Sequence, residues 1–138
     1  MKGKILESEY HLGYDSWILK QTKYGTFSGQ AELHPQDKDI DNSFDGCRIA
    51  EFRADLQAYQ EKARWMRQRA VGARILFETN KELILDANIE EELEKTVKML
   101  EQQADAAREY CERMKSYKPI FIKNILKQRR EMQSKIRD

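Results

Sequence analysis

Cysteine, proline, histidine and glycine are all scarce in this chain: two Cys, two Pro, two His and six Gly among 138 residues. Cys47 and Cys111 lie far apart and neither stands in a CxxC spacing, which leaves two ordinary thiols in a reducing compartment rather than a disulfide framework. So few turn residues exclude an all-β sandwich or barrel. His11 and His34 have no Cys, Asp or Glu at ligand or triad spacing, so neither zinc nor a histidine-based nucleophile is expected. Long apolar runs are missing too. The longest clusters are Leu83-Ile84-Leu85 and Ile120-Phe121-Ile122, far short of the roughly 18 residues of a membrane span. The opening MKGKILESEYHLG lacks the apolar stretch of a secretory signal, and the expected location is the cytoplasm. Net charge is absent as well, with 25 Lys and Arg against 24 Asp and Glu. That balance excludes a uniformly basic nucleic-acid binder and an acidic mimic, so any charge function must be local.

What is present is 40% hydrophobic and 36% charged, the composition of one helix-rich domain over 1–138. Leu6, Tyr10, Leu12 and Tyr14 share one parity, and Phe27, Ala31 and Leu33 alternate with polar residues, with Trp17-Ile18-Leu19 between them. Alternation of this kind predicts half-buried strands near 4–12, 15–23 and 26–34, turned at Gly13 and Tyr24-Gly25, in a meander over 1–34. The Asp-rich segment 35–46 reads as a loop ending in a helix cap. Its Asp37, Asp39 and Asp41 are spaced like the start of a calcium loop, but the sixth position lacks glycine and the twelfth is Arg48. The glycines at 25 and 29 lack a phosphate-loop lysine and any dinucleotide pattern.

From Ile49 to Phe77 apolar residues alternate in steps of three and four, through Phe52, Leu56, Tyr59, Ala63, Met66, Ala70 and Ala73. This heptad seam predicts a helix over 47–79, about 45 Å of seam, longer than three strands can cover. Leu93, Val97, Leu100, Ala104, Ala107, Cys111 and Met114 form a matching seam over 88–117, with Asn88 and Glu91 as a capping arrangement. The two read as an antiparallel hairpin joined by residues 80–87. Pro119 is expected to stop the second helix, and Ile122, Ile125, Met132 and Ile136 to mark a short basic C-terminal helix over 120–137. The expected fold class is α+β: a small antiparallel sheet of about three strands, a long helical hairpin and that short helix.

Two clusters could meet an anion. Arg64, Arg67, Arg69 and Arg74, interleaved with Trp65 and Phe77, combine cationic forks with flat aromatic faces, as phosphate and base recognition requires. Equally, they could pair with the seven acids between 78 and 94. Lys127 and Arg130 belong to the basic segment from Lys115 onward, which holds eight Lys or Arg against Glu131 and Asp138. That face is either solvated, a nucleic-acid contact or the lining of an anion site. No metal, cofactor or catalytic constellation is expected.

Residues 23–59 resemble a group of small bacteriophage proteins in which a strand ending in His-Pro leads through an acidic loop to Gly, Ala-Glu and a long charged helix. The matching positions are Gly29, His34, Pro35, Asp37, Asp39, Gly46, Ala50 and Glu51. The group is similar to the Thoeris anti-defence proteins, oligomeric sponges that sequester cyclic ADP-ribose signals, some also holding cyclic oligonucleotides. The resemblance implies a homo-oligomer binding an anionic nucleotide without catalysis, with Arg64, Arg67, Arg74, Phe77, Lys127 and Arg130 as the ligand-facing candidates. The alternatives are an inhibitor of a host immune protein such as a CRISPR nuclease, and a phage nucleic-acid accessory protein.

Overall fold

A computed structural model of the chain describes residues 1–11, 15–32 and 43–137. The turn at Gly13, residues 35–42 of the acidic loop, and His34, Pro35, Asp37 and Asp39 of the phage-like motif lie outside the described residues. Three strands, β1 (Gly3–His11), β2 (Asp15–Thr22) and β3 (Gly25–Glu32), form one antiparallel sheet in the order β1-β2-β3. They are followed by α1 (Ser43–Asn80), a single 3-10 turn (Lys81–Leu83) and α2 (Ala87–Arg137). The chain divides into two compact units: Met1–Ala58 with Arg113–Asp138, and Tyr59–Glu112. Both long helices pass from one unit into the other.

In the first unit, alternation along the strands places Ser16, Ile18 and Lys20 of β2 on the buried face, with Phe27, Gly29 and Ala31 of β3. Ile18 and Ala31 pack with Ile49, Ala50 and Ala54 of α1 and Ile125 of α2, flanked by Phe27, Phe121 and Ile122. Leu6 of the expected β1 parity is exposed, at the point where pairing with β2 shifts register between Ile5 and Glu7. Opposite β1, the outward edge of β3 is covered by α1, since Arg53 donates to the Gln30 carbonyl and Gln57 to that of Ser28. Capping edge carbonyls this way removes a template for unwanted strand pairing. Thr22 and Gly25 face each other across the β2–β3 turn, and Gly25 has φ of 134°, a conformation that favours glycine.

The helix meets the sheet closely at Gly29. A β-carbon there would collide with the Ala50 carbonyl oxygen, so β3 can approach α1 only without one. Gly29→Ala is expected to lower stability by about 1–3 kcal/mol or more through overpacking, read as a shifted urea midpoint with unchanged far-UV circular dichroism.

Pro119 does not end the second helix. α2 runs unbroken through it to Arg137, and the short C-terminal helix expected over 120–137 is the distal part of α2. Proline removes one backbone donor and crowds the preceding turn. Here the residues beyond it are held by packing, since Phe121, Ile122 and Ile125 join the core under the sheet. The heptad register predicts the same outcome: Val97, Ala104 and Cys111 are buried and Lys118 partly so, and one more step of seven reaches buried Ile125. The far end of that segment is not core, for Met132 and Ile136 are exposed.

The second unit is the helical hairpin. Ala70 and Phe77 of α1 and Val97, Ala104 and Cys111 of α2 are its buried residues, and Tyr59 meets Tyr110 edge to face at 4.9 Å between centroids. The start of α2 differs from expectation by two residues. Asp86, not Asn88, is the cap, its Oδ1 accepting the backbone N–H of Asn88 at 2.8 Å and of Ile89 at 3.4 Å. Asp is as good a cap as Asn, and it sits immediately before Ala87, where the first helical turn needs an acceptor.

Candidate functional site

The sequence-predicted residues separate between the two units. Arg64, Arg67, Arg74 and Phe77 fall in the hairpin unit, Lys127 and Arg130 in the sheet unit. Within the hairpin the arginine forks are occupied by carboxylates. Arg64 pairs with Glu61 at 2.7 Å, Arg67 with Asp105, and Arg74 with Glu101 at 2.6 Å and Glu78 at 3.2 Å. The hydrogen bond from Arg74 holds the Glu101 carboxyl below the usual range, against the opposing effect of desolvation. Phe77 is a core residue, with the Arg74 guanidinium and the Lys81 ammonium each 5.9 Å from its ring centroid. These cations therefore serve the hairpin's own packing. Among the described residues only Glu78 of the acids of 78–94 pairs with these arginines; the partners across the hairpin are Glu101 and Asp105 of α2.

A second cationic and aromatic cluster, not singled out in the sequence, assembles in the sheet unit. Phe52 of α1 and Phe121 of α2 stack at 4.6 Å with 18° between planes. Tyr117 leans on both, at 6.3 Å from Phe52 and 6.0 Å from Phe121. The Arg48 guanidinium lies 6.0 Å from the Phe121 centroid. Arg48 and Phe52 are one turn apart on α1, as are Tyr117 and Phe121 on α2, so each pair shares a helix face. The inner rings pack the two helices together; Arg48 and Tyr117 stay exposed at the margin. Asp45 accepts from Arg129 Nε at 2.8 Å and pairs with Arg48 at 3.7 Å. Arg48 and Tyr117 each flank the Phe121 ring, a planar cation and a phenol of the kinds that grip a phosphate oxygen and stack a base. The available signal was the i, i+4 spacing of Arg48 with Phe52 and of Tyr117 with Phe121, which points to one site only once α1 and α2 are known to meet there.

Lys127 and Arg130 line a separate open groove of about 610 Å³ along α2, with Pro119, Ile122, Lys123 and Leu126. Among the described residues, Lys123 and Lys127 make no ion pair. Glu131 shares this groove, which breaks the run of positive charge.

Of the phage-like motif, the described positions carry packing. Gly29 lies against the Ala50 carbonyl, a β-carbon at Gly46 would meet Ser16, and Glu51 receives the buried Lys20 at 2.8 Å. The likeness over 23–59 thus falls on residues that join helix to sheet, and none of these four is in a ligand-facing position. Among the described residues no group of His, Cys, Asp or Glu could hold a metal ion, and no helix is long and apolar enough to cross a membrane. No protein-family model, curated protein or solved structure matches the chain.

Proposed function

We propose that this chain is a binding protein without catalytic activity, phage-encoded and working in the cytoplasm of a bacterial host, that captures an anionic, base-bearing small molecule of the cyclic-nucleotide class. The observation that supports this reading is the Arg48, Phe52, Tyr117 and Phe121 cluster. Base stacking falls to Tyr117 and phosphate recognition to Arg48. Arg64, Arg67 and Arg74 belong to the other unit and are left out of the site.

The test is a thermal-shift and calorimetric screen with cyclic ADP-ribose isomers and cyclic di- and trinucleotides. A ligand at a hundredfold excess over Kd stabilises the fold by about 2.7 kcal/mol, which raises Tm by several degrees. Arg48→Ala and Tyr117→Ala should each weaken binding at least about tenfold, by loss of a charge-assisted bond or a stacking face. Arg48→Ala should lower the ligand-free Tm by only about a degree or two, since its side chain is exposed, whereas Tyr117→Ala should lower it by a few degrees more through lost ring contacts with Phe52 and Phe121. The bound molecule should be recovered unaltered after heat denaturation, as judged by mass spectrometry. Absence of heat and of thermal shift with every nucleotide would sink this reading and move it to inhibition of a host immune protein.

A further inference from the structure

The hairpin tip and the groove of distal α2 differ in the sign of their net charge, and each has apolar residues in its lining. At the end of the hairpin, Leu76 is 65% exposed, Leu83 77% and Leu85 97%, with Ile89 and Leu93 also exposed. An apolar groove of about 390 Å³ opens beside them, lined by Leu76, Ile84, Leu93 and Leu100. Between residues 78 and 94 there are seven acids and one base, Lys81. Five of these acids pair locally, Glu78 with Arg74, Glu90 with Lys81, Glu91 and Glu92 with Lys95 and Glu94 with Lys98, which leaves a net negative surplus; Glu82 has no ion pair among the described residues. Distal α2 has the opposite net character: the groove along Pro119, Ile122 and Leu126 is edged by Lys123, Lys127 and Arg130 against one acid, Glu131.

We infer that the chain assembles head to tail, the acidic apolar hairpin tip of one copy docking on the basic apolar groove of α2 in the next. Charge selects this pairing over the symmetric ones. Tip on tip would set one net negative surface against another, and groove on groove one net positive surface against another, each repulsive across a desolvated contact. Only tip on groove covers exposed leucines on one side and Ile122 and Leu126 on the other while bringing opposite charges together. A contact of this kind is heterologous, so each bound copy still presents a free tip and a free groove, and growth continues into a ring or a filament. This inference is independent of any nucleotide ligand.

Sedimentation velocity of the ligand-free full chain tests it. The wild type should exceed 16.4 kDa, grow with concentration, and associate at least about tenfold more weakly in about 1 M salt than at low ionic strength. A tip variant, Leu83→Arg with Leu85→Arg, and a groove variant, Lys123→Glu with Lys127→Glu, should each be monomeric alone. Mixed in equal amounts they should recover a complex of at least twice the protomer mass, because the first retains a groove and the second a tip. A monomeric wild type would overturn the inference, as would either variant associating like the wild type or a mixture that stays monomeric. If circular dichroism shows that a double variant is unfolded, Leu85→Ser and Lys127→Ala take the same mixing test with the same expected and overturning results.

Discussion

Lys20→Met is expected to cost about 3–5 kcal/mol of stability, a fall in Tm on the order of 10 °C. The side chain is 4% exposed, and its ammonium donates to Asp55 Oδ1 and Glu51 Oε1 at 2.8 Å each and to the Met1 carbonyl at 2.6 Å. The Met1 amino group adds a further bond to Asp55 at 3.1 Å. Deleting the lysine leaves two carboxylates beneath the sheet with one cation lost, and an unpaired buried charge costs far more than the intact pair contributes. Desolvation works against the Lys20 ammonium, but hydrogen bonds and charge from Asp55 and Glu51 outweigh it and hold its pKa above the usual lysine value. A raised folded pKa fixes the sign of the pH dependence. The contribution is complete below the unfolded lysine pKa of about 10.4 and is lost as pH rises through the higher folded value. The deficit of the variant, measured by urea denaturation, should therefore be level from neutral pH to about 9 and shrink only in strong alkali. Lys20→Met combined with Asp55→Asn should recover part of the loss, a non-additivity expected of residues in one network. A double-variant loss equal to the sum of the Lys20→Met and Asp55→Asn losses would show that the groups are not coupled.

Ala104→Arg should cost about 3 kcal/mol or more, whereas Ala106→Arg, two residues away, should stay within about 0.5 kcal/mol. Ala104 is 1% exposed on the seam of the hairpin unit and Ala106 lies on the solvent side of the same helix. At the first position the guanidinium must either enter a seam built around alanines and Val97 or force α1 and α2 apart; at the second it enters water. Thermal and urea unfolding of the pair read this difference directly. Similar losses at both positions would mean that helix propensity, rather than the packed seam, governs the stability of the hairpin.

Legibility in the sequence followed the range of the interaction. The strands, the two heptad seams and the hairpin connection all rest on patterns within a few residues, and each is present in the structure with boundaries moved by at most four residues, except the end of the second helix, expected at 117 and found at Arg137. Pro119 was misleading because the local rule for proline competes with a seam that runs on to Ile125, and packing of Phe121, Ile122 and Ile125 prevails. The candidate site was less legible than the fold. Arg64, Arg67 and Arg74 looked like an anion-binding set when α1 was considered alone, but Glu61, Glu78, Glu101 and Asp105 occupy them. Residues 52 and 121 stack although 69 positions apart in sequence, a distance over which no spacing rule operates.

The α+β class, the three strands with Phe27 and Ala31 on the inner parity, and both helical seams were determined by the sequence alone, because side-chain periodicity follows from backbone geometry at period 2 or 3.6. Tertiary structure alone decided the continuity of α2, the exposure of Leu6, the burial of Lys20 and the assembly of Arg48, Phe52, Tyr117 and Phe121. The inward parity of β2 carries Lys20 under the sheet because Ile18 must face the core, and only the placement of α1 supplies Glu51 and Asp55 to meet it. Whether an exposed-looking arginine is open to a ligand or spent on a neighbouring carboxylate likewise depends on which turn of the second helix lies opposite, and that register is set by packing between helices.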